Sequence, residues 1–198
     1  MEGFYREIGE IYRLKVPFDT LYTSVFLVKS DIGAVLVDCA TTAEDVEQYI
    51  LPALEAMGIA PGELAALVLT HSHDDHAGGL ARMLEAAPNL RVVREVCALG
   101  GGLSTYPMGG HLPECIGLMD ARAATLISAD GLQGAGVDKY RCYVEDKAAY
   151  LDTVNRIAHD EGVENLLFSH AYEPWYEAHR YGRENVLECL RECLNYIE

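Results

Sequence analysis

The sequence lacks any long apolar run: none approaches the roughly 18 residues that a helix needs to cross a bilayer. It is also poor in positive charge, with 15 Lys and Arg against 31 Asp and Glu and a formal net charge of −16. Such a charge repels phosphate backbones and anionic lipid surfaces. We therefore expect no nucleic-acid and no membrane partner, and a small molecule as the substrate.

The cysteines and the N-terminal residues bear on the compartment. The chain has six cysteines, but no CxxC pair occurs. The N-terminal stretch MEGFYREIGEIYRLKV has no basic start followed by an apolar run, so we expect no signal peptide and a cytoplasmic location. In that setting reduced thiols are expected rather than a disulfide framework. The sequence leaves a homo-oligomer open.

Alternating strand and helix patterns run through the 198 residues and predict one α/β or α+β domain over 1–198. Residues 21–39 predict two strands around the turn SDIG. Residues 41–58 predict a helix, in which Thr41 and Glu44 have the spacing of a capping box. The glycine-rich stretch ALGGGLSTYPMGG, 98–110, predicts an irregular loop that shapes a pocket.

The segment HSHDDH follows the apolar run LAALVLT, which predicts a buried strand. In an extended segment His71 and His73 point the same way, which lets two imidazoles bind one metal ion. Asp75 and His76 follow at the turn and can reach a second position. Imidazole and carboxylate suit zinc, iron or manganese. The alternative is a solvated polar turn in which an aspartate caps the next helix, but the dense HxHxDH spacing favours metal ligands.

The HxHxDH segment resembles the signature of the metallo-β-lactamase-fold hydrolases, and the resemblance extends over roughly residues 20–175. Four further positions match the family pattern in the same order along the chain. Asp38 in AVLVDCA precedes the segment, and His111 in MGGHLPEC, Asp130 in TLISADG and His170 in NLLFSHA follow it. The flanking residues depart from the family pattern, with GGHL for PGHT, AD for GD and SHA for GHG. The resemblance implies an α+β fold, a four-layer αβ/βα sandwich, with a dinuclear metal site at a sheet edge.

The resemblance also implies a ligand set for two divalent ions, with zinc first and iron or manganese as alternatives. By analogy His71, His73 and His111 hold one ion, Asp75, His76 and His170 hold the other, and Asp130 bridges them. Asp38 orients a metal-binding histidine from behind. A hydroxide that bridges the ions attacks the substrate, and Asp75 and Asp130 are the catalytic carboxylates of this scheme.

The implied activity is hydrolysis of an ester-like bond, a thioester or a lactone, as in relatives such as glyoxalase II or the lactonases. No room is apparent for the helical domain with which glyoxalase II holds glutathione, and Asp130 occupies the position where some β-lactamases have a cysteine ligand. Small-molecule phosphodiesterase activity and a non-catalytic metal-binding module remain alternatives. Tyr106 and Tyr172 are candidates for the substrate pocket, where a phenol can donate to a leaving group; a buried thiol is the simpler reading of Cys115.

Overall fold

A computed structural model describes residues 3–197. The contacts within the chain divide it into two compact units. The N-terminal unit comprises the residues up to Arg94 together with Leu99–Gly102, and the C-terminal unit comprises Glu95–Ala98 and the chain from Leu103 onward. Along the described chain, no helix is both long and apolar enough to cross a membrane.

The N-terminal unit is built on one six-stranded sheet whose strands follow the order of the chain. Its strands are β1 (Tyr5–Ile8), β2 (Ile11–Phe18), β3 (Leu21–Ser30), β4 (Gly33–Val37), β5 (Leu64–Val68) and β6 (Val92–Val93). The first four strands pair antiparallel through short turns, whereas β4, β5 and β6 are parallel. Parallel strands need crossover connections, and the helices of this unit lie in those connections.

The crossover between β4 and β5 is a helical segment with three parts: α1 (Ala43–Asp45), a π-helical turn (Val46–Ile50) and α2 (Leu51–Ala56). Its capping box pairs Thr42 with Asp45, so the prediction of Thr41 and Glu44 was wrong by one residue. The side chain of Thr42 faces the first turn, where its oxygen accepts from the Asp45 amide. A 3₁₀ turn (Pro61–Glu63) leads into β5.

The core of this unit lies between one face of the sheet and the helices. After β5 come α3 (Asp74–Ala77) and α4 (Leu80–Ala86). Alternate strand residues such as Leu14, Leu27 and Leu36 pack with helical residues such as Ile50 and Met83, all fully buried. The apolar residues that alternate along the strands and those that form one face of the helices thus pack in the same core.

The C-terminal unit has its own mixed sheet and a small two-stranded sheet. In the mixed sheet, the neighbouring strands are β14 (Glu177–Tyr181), β13 (Asn165–Tyr172), β10 (Thr125–Ala129), β9 (Ile116–Asp120) and β8 (Leu103–Pro107). Only β10 and β13 pair parallel, and α5 (Lys147–His159) lies in the connection between them. The small sheet is β11 (Gly136–Val137) with β12 (Tyr140–Arg141), and α6 (Arg183–Leu194) follows β14.

The prediction of an irregular loop over 98–110 was wrong. Strands β7 (Ala98–Gly100) and β8 occupy most of that segment. The glycines 100–102 all have positive φ, between 57° and 101°, so they form the tight turn that separates the two strands. The glycines predicted irregular structure, but here their conformational freedom permits a tight turn between two regular strands.

Candidate metal ligands

The Asp38 carboxylate joins two of the predicted ligand positions of the N-terminal unit. Asp38 directly follows β4, is 1% exposed and has a φ of 63°, a strained value for a residue with a side chain. Its Oδ1 accepts from the Thr70 amide, and its Oδ2 accepts from the Thr70 hydroxyl, each over 2.8 Å. Its Oδ2 also lies 2.8 Å from Nδ1 of His76. Because a carboxylate only accepts, Nδ1 of His76 is the donor in this contact, and Nε2 is the candidate ligand atom of the ring.

Thr70 extends the same network to His71. The Thr70 hydroxyl lies 3.0 Å from Nδ1 of His71. Since its own proton goes to Asp38, the hydroxyl oxygen accepts from Nδ1 of His71 and leaves Nε2 of that ring with a lone pair. This Nε2 lies 3.2 Å from Nδ1 of His73, so the two rings converge as the alternation of an extended segment predicted. No motif or spacing in the sequence predicts this role of Thr70.

Helix α3 carries the second pair of the motif. Asp75 and His76 lie within it, and Oδ2 of Asp75 is 3.2 Å from Nε2 of His76. Two glycines after α3 permit a close approach of the 39–41 backbone. A Cβ on Gly78 would lie 1.8 Å from the Thr41 carbonyl oxygen, and one on Gly79 would lie 2.1 Å from that of Cys39. The glycine pair therefore lets α3 pack against the segment that begins with Asp38.

In the C-terminal unit, Asp130 and His170 form a third pair. Asp130 follows β10, and His170 lies on the neighbouring strand β13. Oδ1 of Asp130 is 3.7 Å from Nε2 of His170, and it accepts a hydrogen bond from the Tyr172 hydroxyl over 2.7 Å. Ala129, directly before Asp130, has a φ of 48°. Alanine adopts this left-handed backbone at a cost of about 1–2 kcal/mol.

His111 is oriented by groups of its own unit. Its Nδ1 lies 2.8 Å from the Tyr143 carbonyl oxygen and 2.8 Å from Nε2 of Gln133. Both contacts engage Nδ1, which makes Nε2 the candidate ligand atom of His111. The Tyr143 amide in turn donates to Oε1 of Gln133 over 2.9 Å. Gln133 was missed in the sequence because nothing in the spacing of GLQG links it to His111.

Burial and spacing distinguish these side chains from a solvated polar turn. His71, Asp75, His76, His111, Asp130 and His170 are each at most 9% exposed. Zinc ligands bound at about 2.1 Å with tetrahedral angles lie roughly 3.4 Å apart. The separations of 3.2, 3.2 and 3.7 Å within the three pairs are close to that value. The donor set within each unit therefore suits a divalent cation.

Three other candidates have environments that limit their roles. Burial raises the pKa of the Cys39 thiol, and the adjacent Asp38 adds to the rise, so this thiol stays protonated. Burial, together with Asp160, raises the pKa of Tyr106, whose hydroxyl donates to Asp160 over 3.1 Å. Cys115 is a buried free thiol. The pocket role of Tyr106 and of Tyr172 stays a prediction.

Comparison with known proteins bears on the resemblance. A family model described as "Metallo-beta-lactamase superfamily" matches residues 18–96, which include Asp38 and the whole HxHxDH segment. Over these residues the predicted resemblance to this superfamily is confirmed. The metallo-β-lactamase relatives include the Metallo-beta-lactamase domain-containing protein 1 of Homo sapiens, 35% identical over 85 residues, and its Rattus norvegicus counterpart, 39% identical over 69 residues. The matches cover 43% and 35% of this chain, and only 30% and 26% of those proteins.

Solved structures extend the metallo-β-lactamase likeness to almost the full chain. A metallo-β-lactamase from Erythrobacter litoralis with β-mercaptoethanol in its active site matches with a TM-score of 0.70 and 20% identity, over 97% of this chain and 96% of that one. The mono-zinc form of FIM-1 from Pseudomonas aeruginosa matches with a TM-score of 0.73 and 15% identity, over 98% and 96%. At these identities the likeness establishes the fold alone. The predicted α+β class and metallo-β-lactamase fold are confirmed.

Proposed function

We propose that this protein is a metal-dependent hydrolase that cleaves an ester-like bond, a thioester or a lactone, in a small molecule. The observation that carries the proposal is the Asp38 network, which engages Nδ1 of His76 and, through Thr70, Nδ1 of His71, so that Nε2 is the candidate ligand atom of both rings. Such hydrogen bonds behind a ligand are typical of metal sites and are costly to lose.

Two groups of side chains are candidates to hold a divalent ion each: His71, His73 and His111 form one, and Asp75, His76, Asp130 and His170 form the other. By the resemblance, we assign Asp130 to both ions. The donors are imidazole nitrogens and carboxylate oxygens, which suit zinc, with iron or manganese as alternatives. We also propose that the chain functions as a single domain over 1–198.

When bound, the ions lower the pKa of water to about 7 and polarise the scissile carbonyl. The chain's own groups supply the geometry. The Tyr143 carbonyl and the Gln133 amide both contact Nδ1 of His111, and Asp38 contacts Nδ1 of His76. The carboxylates of Asp75 and Asp130 offer acceptor oxygens that orient water and receive its proton, which is the catalytic role we assign to them.

Charge decides between substrate classes. The net charge of −16 disfavours polyanions, so nucleic acid is not a proposed substrate. A small acyl compound meets less repulsion than a phosphodiester. We therefore rank thioesters and lactones first.

Hydrolysis by the zinc-loaded protein tests the proposal. A thioester, a lactone, a cephalosporin and a phosphodiester are each assayed with and without a chelator. We expect chelator-sensitive cleavage of the thioester or the lactone. A rate only on the phosphodiester would instead assign phosphodiesterase activity. Zinc binding without turnover on all four compounds would contradict the proposed activity and favour a non-catalytic metal module.

Two variants make the assay specific to the site. Asp130→Ala removes the proposed shared ligand, and we expect at least a 100-fold loss of turnover, in the range found when a metal-site group is lost. Asp152→Ala removes an exposed carboxylate on α5 and is the matched control. Equal activity of Asp130→Ala and the control would show that the observed hydrolysis does not depend on this site.

A further inference from the structure

The Tyr172 hydroxyl is committed to Asp130. It donates to Oδ1 of Asp130 over 2.7 Å, and the two residues are 2% and 7% exposed. Hydrogen bonds to a buried carboxylate are short and about twice as strong as bonds between neutral groups. A phenol has one proton. While Tyr172 donates it to Asp130, it has none to give to a leaving group, so the donor role suggested by the sequence does not fit this geometry.

The ring of Tyr172 is fixed by its neighbours on β13. Phe168, His170 and Tyr172 are two residues apart and lie on one face of the strand, with ring centroids 6.0 Å apart for Phe168 and Tyr172 and 5.7 Å apart for His170 and Tyr172. Behind them Phe168 stacks on Trp175 at 5.2 Å, and Arg180 lies 4.8 Å above the Trp175 ring. The phenol therefore reaches Asp130 from an already ordered ring, at little further entropy cost.

We propose that Tyr172 is a positioning residue for Asp130. By donating to Oδ1, the phenol fixes the rotation of the carboxylate, while lone pairs on both oxygens remain to coordinate. This inference rests on the proposed function, since it assumes that Asp130 is a metal ligand. It predicts that loss of the phenol weakens binding of the ion assigned to Asp75, His76 and His170, the group that contains Asp130. Binding of the ion assigned to His71, His73 and His111 should not change.

Metal affinity measured site by site tests this role. Tyr172→Phe removes only the hydroxyl oxygen. Tyr12→Phe is the matched control, because the half-buried Tyr12 also donates its hydroxyl to a carboxylate, that of Glu10, over 3.2 Å. Binding of zinc is followed by competition with a chromogenic chelator, and cobalt is followed by its visible spectrum. We expect the weaker of two sites to lose 10- to 100-fold in affinity in Tyr172→Phe, with the tighter site and the Tyr12→Phe protein unchanged.

A double-mutant cycle keeps the test valid if the hydroxyl also stabilises the fold. Asp130→Asn keeps the shape of the carboxylate but weakens its coordination. If Tyr172 acts through Asp130, adding Tyr172→Phe to Asp130→Asn causes little further loss of affinity. Additive losses of affinity in the double variant would overturn the positioning role. Equal weakening of both sites in Tyr172→Phe, or no change at either site, would overturn it as well. A wild-type protein that binds no divalent ion would instead contradict the proposed function.

Discussion

Oδ2 of Asp38 lies 2.8 Å from Nδ1 of His76, and both side chains are at most 1% exposed. This contact decides which nitrogen of His76 is available, because a carboxylate can only accept. It also links strand β4, which ends at Val37, to helix α3. The first prediction concerns this carboxylate.

Asp38→Asn should weaken metal binding without removing a ligand. The amide keeps the shape but loses the charge, and its NH₂ can donate to Nδ1 of His76 and favour the wrong tautomer. We expect zinc affinity to fall 10- to 100-fold, measured by chelator competition. Asp31→Asn, in the exposed turn after β3, is the control. Wild-type affinity in Asp38→Asn would refute the orienting role of Asp38.

Thr70→Val should produce a smaller loss of the same kind. Valine matches threonine in shape but removes the hydroxyl that links Asp38 to His71. We expect about a 10-fold loss of zinc affinity and a stability cost of about 1–3 kcal/mol for the unpaired buried groups. Thr23→Val is the contrast, because the buried Thr23 hydroxyl has no hydrogen-bond partner among the described residues. Urea unfolding should show no loss for Thr23→Val; similar behaviour of the two variants would remove the basis for a Thr70 link.

Gly78→Ala should disrupt the approach of α3 to the 39–41 segment. The added Cβ would lie 1.8 Å from a backbone carbonyl oxygen, which cannot move as a side chain can. We expect a loss of about 3 kcal/mol in the free energy of unfolding, at the upper end for overpacking, and weaker zinc binding. Gly62→Ala, where a Cβ meets nothing within 4 Å, should change stability by less than about 0.5 kcal/mol. The two variants are compared by urea unfolding, and equal midpoints would contradict the packing argument.

Cys142 should react slowly with alkylating reagents at neutral pH. Burial, with a smaller effect of Cys193, raises the pKa of its thiol from 9.0 to about 11. The folded protein therefore keeps this proton at a pH where the unfolded chain loses it. The corresponding stability is present below about pH 9 and declines as the pH rises from 9 to 11.

The pH dependence of alkylation checks this pKa. Labelling of Cys142 by iodoacetamide is followed by peptide mass spectrometry, with Cys142→Ser identifying the signal. We expect the rate to reach half its maximum near pH 11 in the folded protein and near pH 9 in denaturant. A midpoint at or below 9 in the folded protein would show that the thiol is not shielded as the structure indicates.

Local patterns in the sequence were sufficient for most of the fold. The turn SDIG separates β3 from β4, and the apolar run before His71 is β5, because short periodic segments carry strong local signals. The segment 98–110 was misread because glycine signals both irregular loops and tight turns, and only pairing partners distant in sequence decide between them.

The candidate site also contains some residues that the sequence predicts and others that it does not. The HxHxDH spacing predicts its own residues as ligands, because a metal ion needs several such side chains close together. Thr70, Gln133 and the link from Tyr172 to Asp130 were not predictable, because each depends on where a side chain points after the strands have paired. The positive φ of Asp38 is likewise a product of packing, and nothing in AVLVDCA signals it.

We propose that seven side chains hold two metal ions, and counting the ions tests this proposal most directly. The wild-type protein and Asp130→Ala are loaded with zinc, dialysed, and measured by elemental analysis against protein concentration. We expect two ions per chain in the wild type and at most one in Asp130→Ala. No bound zinc in the folded wild type, or two ions in both proteins, would contradict it.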